Sequence, residues 1–167
     1  MIGADFVRTM ARYNRWQNRN LYAAAEAVGE DARRADLGAH FGSVHRTLSH
    51  LLWADFMWMS RLAGWEKPDV GLAASPDWVG DWAELCGRRA RADDDLIAWA
   101  DGLTDADAGG TLRWYSGLEG RELERDRALC LVHMANHQTH HRGQVHAMLT
   151  AAGAVPGATD LFVMPVE

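Results

Sequence analysis

Only two cysteines, Cys86 and Cys130, occur in the 167-residue chain. They form no C-x-x-C pair and both fall within apolar-periodic stretches. That argues against a disulfide framework and reads as a pair of reduced core thiols in a cytosolic protein. Long hydrophobic runs are missing as well. The richest stretch, LLWADFMWM, is broken by Asp55 and stays well short of the roughly 20 residues that a bilayer-spanning helix requires. The N-terminal MIGADFVRTMARYNRW carries charge too early and too evenly for a secretory signal. A soluble, cytoplasmic protein with no membrane partner is the expectation. Basic character is lacking too: the formal net charge is −6, and Arg33, Arg34, Arg88, Arg89 and Arg91 are scattered among acids rather than gathered in a patch. Such a surface repels a phosphate backbone, so nucleic acid is not an expected partner. No internal repeat or low-complexity tract interrupts the chain.

What is present is an ordinary globular composition, 48% hydrophobic and 24% charged, with eight tryptophans. The length supports a single domain over residues 1–167, burying about two-thirds of its unfolded surface. Four segments carry helical spacing. The first runs from about Asp5 to Val28, with Phe6, Met10, Tyr13, Trp16 and Leu21 at intervals near three and four, and exits at Gly29. The second, about Phe41 to Ala63, is apolar nearly all round and stops at Gly64 ahead of Pro68, which predicts a central or interface helix. A Gly-, Pro- and Ser-rich loop follows from Trp65 to about Ser75. A third helix is predicted over roughly Pro76 to Ala100, with Trp82, Leu85, Cys86, Leu96 and Trp99 inward and Gly102 closing it. The stretch TLRWYSGLEGREL alternates and turns at Gly117 and Gly120, as a short hairpin or an irregular excursion would. A fourth helix covers about Arg125 to Ala152. The expected architecture is all-α: a four-helix bundle with a long crossover between the third and fourth helices.

Histidine is where the pattern sharpens. Of the eight, three stand at 40, 45 and 50, and the others lie between His133 and His146. A helix turns about 100° per residue, so side chains four apart lie about 40° apart on one face. With His137 taken as zero, His141 sits near +40° and His133 near −40°, with Gln144 and Met148 between them. The imidazoles therefore share a face with the apolar stripe, whereas Thr139, Arg142 and His146 point elsewhere. On the second helix His50 shares a stripe with Thr47, Ala54, Met57 and Arg61. His45 falls on the far side and reads as surface or interface; His40 marks the helix start. A ring turned into a core and left without a partner costs about 1–3 kcal/mol. One inward histidine can be bonded to a carbonyl or carboxylate, and a His-rich face can simply be solvated. Several inward rings are satisfied together by a divalent transition metal, for which i,i+4 histidines are a chelating geometry. If His50 faces the fourth helix it completes a set of three, leaving a metal's fourth position open as in catalytic sites.

The string N-H-Q-T-H-H-R-G-Q at 136–144, with T-L-S-H-L-L-W-A-D at 47–55 and Y-N-R-W-Q-N at 13–18, resembles the DinB-like (damage-inducible) family of four-helix proteins. The likeness extends from Phe6 to Gly153. It implies a bundle in which His50, with His137 and His141 of an H-x-x-x-H, binds a divalent metal, often nickel or zinc, and it implies a homodimer. Characterised members of that family include thiol-dependent S-transferases and a mycothiol-dependent isomerase sharing the fold and the metal triad. The family name refers to DNA-damage induction of a founding gene and implies no DNA binding.

A metal with an exchangeable position lowers the pKa of bound water to about 7 in the best cases, or binds a thiol as thiolate. A zinc peptidase helix needs H-E-x-x-H with the Glu as general base, and position 138 here is Gln. No acid lies beside His137 or His141 on the stripe, though Glu122 and Glu124 could reach in from the excursion. A thiol transferase has less need of a protein base. The leading expectation is therefore a metal-dependent thiol S-transferase-like enzyme that joins a low-molecular-weight thiol to a small electrophilic substrate. A metal-binding stress-response bundle without turnover, and a metal-dependent hydrolase, are the alternatives. His133, one turn before His137, reads as a hydrogen-bonding neighbour of the ligands or as a replacement for one. Gln144, Trp53 and Trp58 belong to the expected pocket, which Trp114 could close. Arg61 is placed either to bind a carboxylate or to sit solvated at its helix end. Trp16, Trp82 and Trp99 read as core, and Gly143 as a packing glycine that lets another helix approach.

Overall fold

The computed structural model describes residues 2–166. Its helices are α1 (Ala4–Ala27), a short α2 (Gly29–Arg34), α3 (Val44–Leu62), α4 (Trp82–Asp101) and α5 (Arg127–Ala151), with strands β1 (Thr111–Ser116) and β2 (Arg121–Asp126) before α5. Local chemistry sets the ends. The side chains of Ser43, Asp81 and Asp126 accept from the backbone N–H of Arg46, Glu84 and Leu129 at 3.2, 2.7 and 2.9 Å, as N-caps do. Gly64 and Gly153, at φ +71° and +86°, let the chain leave α3 and α5 through the left-handed region. The third long helix was expected from Pro76, but Pro76 lies in a short 3₁₀ helix, Leu72–Asp77. Val79 is buried, and its N–H is held by Ser49 Oγ at 3.1 Å. That bond pins the chain against α3, so helix starts only at the Asp81 cap.

The four long helices form a bundle in which α1 packs on α4 and α5, and α3 packs on α4 and α5. The core has two apolar halves. Val7, Ala11, Met59, Leu62, Leu96, Leu131 and Met134 belong to one; Leu21, Leu48, Leu52, Leu85, Val145 and Leu149 belong to the other. From the order of these residues, α1 and α5 run one way and α3 and α4 the other. Between the halves lies a buried polar layer to which every long helix contributes: Asn14 and Asn18, Asp55, Arg89 and Asp93, Gln138 and Arg142. Asp55 accepts from Arg89 Nη1 at 2.6 Å and from Gln138 Nε2 at 2.9 Å. Arg89 Nη2 lies 2.8 Å from Asp93 Oδ1, and Asp93 also accepts from Asn14 and Asn18. Arg142 donates to Asn14 Oδ1. Two carboxylates face two guanidinium groups, so the layer carries charge without net charge, the condition under which buried ions are tolerated.

The connection from α4 to α5 carries the antiparallel hairpin, paired from Thr111↔Asp126 to Ser116↔Arg121. A second long connection, residues 63–81, runs back along α3. Trp53 Nε1 donates to Val70 O (3.0 Å), Ser49 Oγ to Ser75 O (3.2 Å), and His45 Nε2 to Val79 O (2.9 Å). This segment overturns the surface reading of His45, which is 2% exposed. It also accounts for the all-round apolarity of α3 within one chain. Other expectations change in smaller ways. Cys130 is buried but Cys86 only half-buried. Trp16, Trp82 and Trp99 sit half-buried at the margins of the core. Gly143 is exposed, and a methyl group there would meet nothing within 4 Å, so it is not a close-approach glycine among the described residues. No described helix is long and apolar enough to cross a membrane.

Candidate metal centre

Three imidazoles converge on the seam between α3 and α5. His50, His137 and His141 each bring one ring nitrogen within 4.8 Å of the others, and His50 Nε2 lies 3.4 Å from His137 Nε2. His50 and His141 are 3% and 7% exposed; His137 is half-buried and forms the open side. The i,i+4 spacing puts His137 and His141 on one face of α5. The rotation of that face is fixed from behind by Gln138, whose amide is tied to Asp55 in the polar layer. Gln138 therefore points away from the triad.

Hydrogen-bond accounting sets the proton positions on two of the rings. Ser75 Oγ donates to Leu72 O at 2.7 Å, so its single proton is committed. His50 Nδ1, 2.7 Å from the same oxygen, must then be the donor, which leaves His50 Nε2 a bare acceptor. On α5, His141 Nδ1 donates to Gln144 Oε1 at 2.7 Å. Gln144 Nε2 in turn lies 3.2 Å from His140 Nε2, which orients the amide and leaves His141 Nε2 without a proton.

The rings are also kept neutral. Burial, then the neighbouring His141 and His137 rings, pushes His50 down to about 3. Burial followed by His141 lowers His137 to about 4, with Asp55 opposing. His141 is lowered by burial, against the pull of its Gln144 bond. Three neutral imidazoles whose nitrogens are crowded into one gap, with the protons of His50 and His141 bound outside it, fit a divalent cation better than they fit one another. The donor set, all imidazole nitrogen, suits zinc, nickel, copper or iron.

The surrounding side chains divide clearly. Trp53 stacks on His50 at 5.8 Å between ring centroids, and Phe41, from the loop before α3, packs on His50 at 4.2 Å and His141 at 5.4 Å. His133 is outside the three-ring group, exposed, with its ring 6.0 Å from His137 and 5.0 Å from Trp58. Trp58 meets Trp114 of β1 edge-on at 5.8 Å, and Arg61 lies against both indoles. Glu124 is turned to Arg113 at 2.6 Å and Glu122 is exposed, so neither hairpin acid reaches the rings. His40 is exposed ahead of the Ser43 cap, and His140 is exposed on the flank of α5. A cavity of about 120 Å³, lined by Asn18, Tyr22 and Arg89 among others, lies between α1 and α4, away from this seam.

Ser75 and Phe41 are contacts that the sequence did not reveal. Ser75 stands 25 positions from His50, and its place depends wholly on how the 63–81 connection folds back. Phe41 was assigned to a helix that starts later, at Val44.

Similarity to known proteins agrees with this geometry. The sequence profile of the DinB family matches residues 3–165. The chain is also similar to Protein DinB of Bacillus subtilis (strain 168), at 23% identity over 172 aligned positions that cover 98% of each protein. With a family match that spans the bundle, the hairpin and all three histidines, the chain belongs to the DinB family.

Proposed function

We propose that this protein holds a divalent transition metal, zinc or nickel, on His50, His137 and His141 and transfers a low-molecular-weight thiol onto a small electrophilic substrate, acting in the cytoplasm as a homodimer. The observation that carries the reading is the absence of any carboxylate among the three ligating groups, each a neutral ring. A metal bound there would supply a thiolate at neutral pH by lowering the pKa of a coordinated thiol. The chain's own contribution is orientation and access. Ser75 and Gln144 hold the ring protons away from the gap, Phe41 and Trp53 wall its buried side, and His137 leaves the other side reachable.

Hydrolysis is less well supported, because water attack needs a base to take its proton. The acid that acts on His137 is Asp55, and both of its oxygens are already bonded, to Gln138 and Arg89. Thiol chemistry has no such need once the sulfur is ionised.

Metal analysis of untagged protein should give about one zinc or nickel per chain, and His137→Ala should lose it while keeping its helical circular dichroism. Thiol consumption with a chlorodinitrobenzene-type electrophile should require the loaded protein, across a panel of small thiols. Metal-dependent ester or amide hydrolysis with no thiol requirement would overturn the transferase reading. Stoichiometric metal with no turnover would favour a binding protein instead. Light scattering of the loaded protein tests the dimer.

A further inference from the structure

Arg61 occupies the last turn of α3, half-buried. Its guanidinium carbon lies 4.7 Å from the centroid of Trp58 and 5.3 Å from that of Trp114. Every other buried or half-buried arginine among the described residues has an acceptor or another polar partner, as Arg12 has Asp101, Arg89 has Asp55 and Arg142 has Asn14. Arg61 has none: no described carboxylate or carbonyl accepts from it, and its nitrogens remain open to solvent rather than sealed in. Burial pulls its pKa below the free value, with only the Cys130 thiol opposing. A partly desolvated cation with no counter-charge is costly to the folded chain. A guanidinium held against indole rings leaves N–H groups free, in the forked geometry that matches a carboxylate.

The position of this group relates it to the triad. From His137 the seam leads to His133 at 6.0 Å and on to Trp58 at 5.0 Å, against which Arg61 rests. On α3, Arg61 stands three helical turns beyond His50, about 16 Å along the axis, and its long side chain can shorten that gap. The His133 and Trp58 rings lie between, so an extended molecule lying on them would have one end at the histidines and the other at the guanidinium.

We propose that Arg61, clasped by Trp58 and Trp114, receives a carboxylate on the thiol-bearing co-substrate, and that this carboxylate lies on the order of 10–16 Å from the sulfur. The proposal rests on the reading of the triad as the seat of the thiol. It defines the co-substrate class as an extended, acid-bearing thiol of roughly tripeptide length, and it sets aside two- and three-carbon thiols.

A ruler series tests this. ω-Mercaptoalkanoic acids of increasing length, and their methyl esters, are titrated into the cobalt-loaded full chain. Sulfur-to-metal charge-transfer absorption reads binding at the histidines, and tryptophan fluorescence reads binding beside Trp58 and Trp114. The long acids should bind about tenfold more tightly than their esters, whereas for the shortest acids the two should be equal. Arg61→Met should erase the acid preference with metal content and ester affinity unchanged, and Arg61→Lys should restore only part of it. Equal binding of acid and ester at every length would overturn the proposal, as would an acid preference that survives Arg61→Met. His137→Ala separates the two readings: without metal, long acids should still be preferred over esters by fluorescence. An Arg61-dependent acid preference in loaded protein with no charge-transfer band would retain the carboxylate subsite and overturn the thiol reading.

Discussion

Asp55→Ala is the substitution whose cost the structure specifies best. Asp55 is 3% exposed and Arg89 4% exposed, joined at 2.6 Å. Removing one member of a buried ion pair leaves the other charged and unsolvated, typically at about 3–5 kcal/mol. Arg89 keeps Asp93 at 2.8 Å, which argues for the lower end, about 3 kcal/mol. The Gln138 amide loses its only described acceptor, adding about 1 kcal/mol. A total near 4 kcal/mol is a large share of the roughly 5–15 kcal/mol that holds a domain folded. Urea denaturation of the metal-free protein, followed by far-ultraviolet circular dichroism at neutral pH, measures it. If the cost is charge stranding rather than lost packing, Asp55→Leu with Arg89→Met should recover all but about 1–2 kcal/mol. Asp93 stays in that pair of changes because it then balances the buried Arg142 and still accepts from Asn14 and Asn18. Metal affinity should not recover, since Gln138 would still lack the tether that turns His137 and His141 toward α3; a loss of about tenfold is expected in both variants. An Asp55→Ala cost below about 1 kcal/mol, or a double variant no more stable than the single one, would refute this account of the layer.

The same layer marks where sequence reasoning reached and where it stopped. His50, His137 and His141 could be brought together on paper because each face is set by helical phase within its own segment, and four helices leave few ways to pack apolar stripes. The polar layer could not. Asn14, Asp55, Arg89 and Asp93 each appear only as an interruption of an apolar pattern, and their complementarity exists solely between segments tens of residues apart. Asp55 was in fact read for what it breaks, a hydrophobic run, and not for what it binds. His45 failed for a related reason. Its phase on α3 is opposite to His50, but a connection with no periodicity of its own covers that side and supplies Val79 O. Pro76 misled because proline suits the first turn of a helix, while the hydrogen bonds that hold this turn to α3 are made by Ser75 and Val79 on either side of it. The hairpin was legible as alternation with glycine turns. Its function as a support for Trp114 over Trp58 was not, because contact between elements has no signature in either one.

Two further outcomes follow from the triad. Ser75→Ala removes the acceptor that fixes the His50 proton, so metal affinity measured by chelator competition should fall about tenfold with the fold retained; an unchanged affinity would mean that Ser75 does not orient the ring. The second concerns acid. His50 and His137 titrate near 3 and 4 in the folded chain against an ordinary 6.5, so between about pH 6.5 and 4 the unfolded chain binds protons that the native metal-free chain does not. Stability is therefore complete above pH 6.5 and declines as pH falls through that window. Each ring would contribute about 1.36 kcal/mol per pH unit. Halving the share of His137 for the solvent that reaches its half-buried ring gives a loss of about 3 kcal/mol for the pair between pH 7 and 5. Denaturant titrations of metal-free protein across that range should show the decline, and a variant carrying His50→Ala and His137→Ala should lack most of it. Equal slopes in the two proteins would mean that these rings protonate freely in the folded state, which is incompatible with neutral imidazoles held ready for a cation.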